Sequence, residues 1–156
     1  MDNNIDLNKL PPDIKKEFMK YALKLSEKKT KSKVHDDFLT FAKHVWPEFI
    51  EGKHHKIIAE KFNRLAKGEI KRLIINMPPR HTKSEFASNL LPAWMIGRKP
   101  NLKIIQTTHT TELAVRFGRK AKTLIDSPEY QQMFKTRLRE DSQAAGKWET
   151  EQGGEY

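Results

Sequence analysis

Residues 73–85 read Leu73-Ile-Ile-Asn-Met-Pro-Pro-Arg-His-Thr-Lys-Ser-Glu85. Leu73-Ile74-Ile75 is a short, unbroken apolar run, the composition of a strand covered on both faces in a parallel sheet. Two prolines, Pro78 and Pro79, then force a loop, and the stretch from Lys83 to Ile96 has the length and composition of a helix. Strand, loop and helix in that order form the place where a nucleotide-binding fold holds phosphate. Further along, Leu102 to Thr107 reads as a second strand and Glu112 to Ile125 as the next helix. The β-α-β-α rhythm predicts an α/β fold with a parallel sheet flanked by helices.

The chemistry expected at the loop follows from what a triphosphate needs. Backbone N–H groups at a helix start surround the phosphates, a lysine neutralises the β and γ phosphates, and a hydroxyl takes a place on Mg²⁺. Lys83 and Ser84 supply the last two. The usual pattern G-x-x-x-x-G-K-[ST] is nonetheless broken, because Met77 and Thr82 stand where it has glycines. The bland reading is a turn leading into an ordinary helix. Against it stand the fitting strand and loop length, a second cation at Arg80, and Glu85 in the first helical turn. The phosphate-contact set is therefore Pro79, Arg80, His81, Thr82, Lys83 and Ser84. Arg80 either stabilises charge on the γ phosphate or has a plain electrostatic or loop-capping role, and His81 is either a loop residue or a phosphate contact.

Upstream of the loop the periodicity is helical. Ile14, Phe18, Tyr21, Ala22 and Leu25 follow Pro11-Pro12 and predict an amphipathic helix over 11–28, with the lysine-rich residues 27–33 as a solvated linker. Phe38, Phe41, Ala42 and Val45 make a second helix over 35–46, ended by Pro47. A third spans 54–67, and Gly68 sits where a carboxyl-terminal cap belongs. A short helix over 128–134 and a hairpin in the tail from Lys147, with Gly153-Gly154, complete the reading. The resulting division is 1–33, helix and basic linker, and 34–156, the nucleotide-binding part.

Composition narrows the partners. Among 156 residues, 30 Lys and Arg face 20 Asp and Glu, a net charge of +10, which attracts polyanions and makes nucleic acid the leading partner class. The chain has no cysteine, so disulfides and thiolate metal sites are excluded. No apolar stretch approaches the roughly 18 to 20 residues of a membrane span, and Asp2 and Asp6 replace the basic start of a leader, so neither membrane nor signal peptide is expected. On the helix over 112–125, Leu113, Phe117, Ala121 and Leu124 form one side, and Arg116, Arg119 and Lys120 gather on another. That basic face is either simply solvated or, with His109 and Thr110 at the end of the second strand, a contact for the DNA backbone. Trp46, Trp94 and Trp148 read as packing residues.

The run 73–85 resembles the deviant Walker A region of phage terminase large subunits. The likeness continues upstream through residues 38–49 and His54-His55-Lys-Ile-Ile58. Downstream it takes in Ile104-Ile-Gln-Thr-Thr-His-Thr-Thr-Glu-Leu-Ala114, Phe117-Gly118-Arg119 and Trp148 to Tyr156. What the resemblance implies is a RecA-like P-loop ATPase that binds ATP and Mg²⁺ and drives double-stranded DNA into a capsid, with a nuclease domain in the whole protein. It implies portal protein and small terminase subunit as partners, homo-oligomerisation, and a place in the host cytoplasm, docked transiently on the procapsid portal. His54 and His55 match the region that meets adenine in related motors, so His55 joins the nucleotide set; the competing reading is a solvent-facing helix start. By the same resemblance the acidic Walker B strand and the nuclease carboxylates lie past Tyr156, so binding without competent hydrolysis is expected. Two rival readings remain: another DNA-directed motor such as a helicase, and a basic DNA-binding or scaffold module whose degenerate loop takes no nucleotide.

Overall fold

A computed structural model describes residues 11–156; Asp2 and Asp6, on which the leader argument rested, lie outside them. The chain divides into two compact units, Met1–Ser32 and Lys33–Tyr156. Helix α1 runs over Pro12–Asp36 without interruption. The lysine-rich stretch expected as a linker is therefore helical. Lysine is a good helix former, and neighbouring lysines project in different directions round the helix, so a charge run need not break it.

In the second unit, α2 covers Phe38–Val45 and α3 covers Lys53–Lys67. Asp37 caps α2: its carboxylate accepts from Thr40 N–H (2.8 Å), the Thr40 hydroxyl (2.7 Å) and Asn63 Nδ2 (2.7 Å), while Asn63 Oδ1 accepts from Phe38 N–H (2.8 Å). One acid thus starts α2 and ties it to α3. Gly68 closes α3 with φ 80°, the left-handed geometry that favours glycine. Residues 83–98 form a continuous helical run comprising a first turn, a π-helical segment Glu85–Leu90 and α4, Leu91–Arg98. Pro92 brings no N–H to the ladder, and Leu91 N–H reaches back to Phe86 C=O, five residues earlier. Helices α5 (Thr111–Ile125) and α6 (Pro128–Met133) follow, then the antiparallel strands β1 (Leu138–Ala144) and β2 (Lys147–Thr150).

The core is aromatic. Phe38 meets Phe62, Phe86 and Trp94 edge-on at centroid distances of 4.9, 5.3 and 5.5 Å, all four rings being buried. Trp94 Nε1 donates to Val34 C=O (2.8 Å) and the Tyr130 hydroxyl to Ala93 C=O (2.9 Å), so buried polar tips are satisfied. Trp148 donates to Gly118 C=O (3.1 Å) and stacks on Tyr156.

The expected RecA-like parallel sheet is not what forms. The fold is mostly helical (59%), and among the described residues its sheet is a two-stranded antiparallel pair. Residues 72–78 take no regular secondary structure and build no ladder, and residues 102–104 reach only an isolated parallel bridge between Lys103 and Glu155. The physical reason lies in what covers them. Leu73, Ile75 and Met77 are half-buried against the helices, whereas Ile74 is 86% exposed and Ile105 91%. An apolar run supplies residues for two buried faces, but hydrogen-bonded neighbours have to come from elsewhere in the chain. No helix among the described residues is long and apolar enough to cross a membrane.

Candidate functional site

From residues 72–77, which take no regular secondary structure, the chain turns through Pro78-Pro79-Arg80-His81-Thr82 into the helical run. Two non-glycine residues in that turn are left-handed, Arg80 with φ 63° and Thr82 with φ 59°. Such a conformation costs an L-residue roughly 1–2 kcal/mol, so the surrounding contacts must hold it. Thr82 is the position at which the usual phosphate loop has its second glycine. The loop thus adopts at threonine a geometry that glycine takes without strain.

The contacts that hold Thr82 come from α3. Gly52 N–H donates to His55 Nδ1 (2.9 Å), which assigns the imidazole proton to Nε2. Nε2–H then donates to Thr82 Oγ1 (2.6 Å), and the Thr82 hydroxyl donates to His81 C=O (2.6 Å). His81 Nδ1 in turn donates to Pro79 C=O (2.8 Å). His55 is buried among Phe49, Phe86 and His54. Burial, then the neighbouring His54 and His81, hold its pKa below the ordinary histidine value; Glu51 opposes them. A neutral His55 is what the network requires, because protonation would place a donor where Gly52 N–H already points.

The helix opens directly after this support. Phe86 N–H donates to Thr82 C=O (2.9 Å), so the N–H groups of Lys83, Ser84 and Glu85 lie in the first turn, which provides no intrahelical acceptors for them. Lys83, Ser84, Arg80, Pro79 and His81 are exposed, and Thr82 is half-buried. The arrangement offers first-turn amides, one ammonium, one guanidinium and one hydroxyl at one end of a helix, which suits an anion.

Seven sequence-predicted residues therefore fall together: Pro79, Arg80, His81, Thr82, Lys83 and Ser84 in the turn, and His55 beneath it. The second set divides. Thr110 caps α5, its hydroxyl accepting from Leu113 N–H (3.3 Å), and His109 is exposed just before it. Arg116 and Arg119 are exposed on α5, but Lys120 reaches Glu85 (2.9 Å) and so links the basic face to the first turn after the loop. Both residues of that ion pair line a groove of about 480 Å³, together with Trp46, Asn89 and Arg119.

Sequence reasoning missed three features. The His55–Thr82 bond joins residues far apart in the chain, and the Glu85–Lys120 pair likewise. Asn89, in the π-helical segment, is buried with both amide atoms unpartnered. The only sequence signal for Asn89 was a polar residue on the apolar side of a helix. No protein-family model, no curated protein and no solved structure matches the chain.

Proposed function

We propose that residues 79–84 bind the phosphates of a Mg²⁺–nucleoside triphosphate, and that the chain is the ATP-binding portion of a DNA-packaging motor of the terminase large-subunit kind. The observation that carries the reading is Thr82. It is left-handed at the motif's second glycine position, immediately before Lys83 and Ser84 at the opening of a helix. A cost of that kind at a solvent-facing turn is accounted for when the backbone has to curve round a ligand.

The roles follow from position. Lys83 neutralises the β and γ phosphates, the first-turn amides cradle them, and Arg80 adds charge from the turn. Among the described residues no group of three His, Cys, Asp or Glu is placed to hold a metal. Mg²⁺ would therefore be shared between the Ser84 hydroxyl and the nucleotide's own oxygens, its usual arrangement at phosphates. It would supply charge neutralisation. His55 positions the loop from beneath through Thr82. Turnover is assigned to the assembled motor and not to these residues alone, as the resemblance in residues 73–85 and its flanks implies. The exposed Arg116 and Arg119 on α5, with the net charge of +10, make the DNA backbone the partner of that face. Portal protein, small subunit and self-assembly rest on the resemblance in residues 73–85 and its flanks.

A titration with a fluorescent ATP analogue, with and without Mg²⁺, tests the reading. Wild type binds saturably with Mg²⁺; Lys83→Ala loses about tenfold or more, and Ser84→Ala loses the Mg²⁺ dependence. A folded wild-type chain that binds DNA but no nucleotide would sink the proposal in favour of a DNA-binding module, the reading that the exposed α5 face alone supports.

A further inference from the structure

The contact from α3 that holds Thr82 left-handed passes through one titratable ring. His55 Nδ1 accepts from Gly52 N–H (2.9 Å), so its proton sits on Nε2 and reaches Thr82 Oγ1 (2.6 Å). An imidazolium carries a proton on both nitrogens and accepts nothing, so it would turn an N–H against the Gly52 N–H. A ring flip brings no relief, because either nitrogen then donates. His55 is also buried, with Phe49 and Phe86 at centroid distances of 4.7 and 5.0 Å. Protonation and the present place of the ring therefore exclude one another.

We infer that His55 is a proton-operated latch on the phosphate loop. Neutral, it holds residues 79–84 in the binding geometry; protonated, it leaves its seat, lets Thr82 relax and weakens phosphate binding. The inference rests on the phosphate-binding reading of that loop and adds its regulation. The route from ring to ligand is short. Thr82 C=O accepts from Phe86 N–H (2.9 Å) and Lys83 follows directly, so a change of φ at Thr82 re-aims the first-turn amides and the ammonium together. The groups facing the ring set where it titrates. His54 lies against it from α3 at a centroid distance of 3.8 Å, His81 comes from the turn, with its ring 5.8 Å from that of His54, and Phe86 faces it from the loop helix. Glu51, from the segment between α2 and α3, is the anion that favours a charge there, and it is already shared by Lys43 and Lys56. With burial the leading effect and the two histidines behind it, the ring's pKa stays below the ordinary 6.5. The latch therefore holds above about pH 6.5 and opens as pH falls through the lower folded value.

The test follows the whole isotope-labelled chain by NMR from pH 8 to pH 5, beside titrations with the fluorescent ATP analogue and Mg²⁺ at each pH. The His55 ring nitrogens show the Nε2–H tautomer at pH 8. As they titrate, the amide signals of Thr82 and Lys83 move with the same midpoint, while the buried Trp94 and Trp148 keep their emission, so the change is local. Nucleotide affinity falls by up to about tenfold per pH unit below that midpoint, because binding then has to expel the His55 proton. His55→Gln, which cannot titrate, removes this slope; what slope it keeps belongs to the nucleotide, whose terminal phosphate itself takes a proton at about pH 6. Should that variant fail to fold, the shared midpoint in the wild type still decides the matter. Thr82 and Lys83 signals that stay put while His55 titrates, or equal slopes in the wild type and His55→Gln, would overturn the latch and leave the phosphate loop standing. Absence of nucleotide binding at pH 8 would instead remove the phosphate-binding reading, and the latch with it.

Discussion

Replacing Thr82 by Gly and by Ala separates the two things that residue does. Both variants lose the hydroxyl that accepts from His55 Nε2 and donates to His81 C=O. At a half-buried site those two bonds contribute together about 1 kcal/mol, from the lower end of roughly 0.5–1.5 each. The variants differ from one another only in the Cβ atom at φ 59°. An L-residue there carries roughly 1–2 kcal/mol of strain, whereas glycine carries none but loses about 0.5–1 kcal/mol of backbone entropy on folding. The difference leaves Thr82→Gly more stable than Thr82→Ala by about 0.5–1 kcal/mol, and Thr82→Ala about 1 kcal/mol below wild type. Urea unfolding followed by tryptophan emission reads this as a midpoint difference of about 0.3–0.5 M between the variants, for slopes of about 2 kcal/mol per M. Equal midpoints, or the alanine variant ahead, would show that Thr82 is not held left-handed and would remove the observation on which the phosphate-loop proposal stands.

Removing the Asp37 carboxylate with Ala uncaps α2 and unties Asn63, and costs about 1–2 kcal/mol in the same assay. Burial raises the Asp37 pKa, but hydrogen bonds from Thr40 and Asn63 outweigh it and leave it below the usual carboxylate value. The stability it confers is therefore present above about pH 4 and lost as pH falls through the lower folded pKa, so the variant shows a flatter acid limb. His55 has the opposite sense. With its folded pKa lowered, the unfolded chain takes up the proton first, so its share of stability is complete above about pH 6.5 and declines as pH falls below that. His55→Asn reduces that slope in thermal unfolding between pH 7 and 5; an unchanged slope would count against a neutral buried imidazole. A Cβ at Gly154 would strike the Pro100 carbonyl and stand 2.9 Å from the Leu102 carbonyl, both backbone atoms. Gly154→Ala therefore costs about 1–3 kcal/mol and weakens the near-ultraviolet circular dichroism of the Trp148–Tyr156 stack. On α5, Arg116→Glu/Arg119→Glu weakens duplex DNA binding and lowers the slope of log affinity against log salt by about 1–2; an unaltered slope would release that face from any DNA role.

The sequence alone determined the local elements, because helices declare themselves in short-range pattern. The apolar period and Gly68 placed α3, the apolar side over 113–124 placed α5, and Lys147 to Tyr156 does turn back on itself at Gly153. The candidate loop was also legible, since two prolines and Lys83-Ser84 constrain backbone and chemistry within a few residues. The tertiary structure decided everything that depends on a partner distant in the chain. Leu73-Ile74-Ile75 has strand composition, but a strand is a relation between backbones; with no ladder beside it, Ile74 stays in solvent and the parallel sheet does not form. The missing glycines at 77 and 82 left two outcomes, a backbone that avoids positive φ or one strained to reach it, and the choice fell to contacts such as His55–Thr82 that no local pattern shows. The lysine run at 27–33 is helical for a local reason instead: its residues are exposed, lysine is a good helix former, and a charge run does not by itself end a helix.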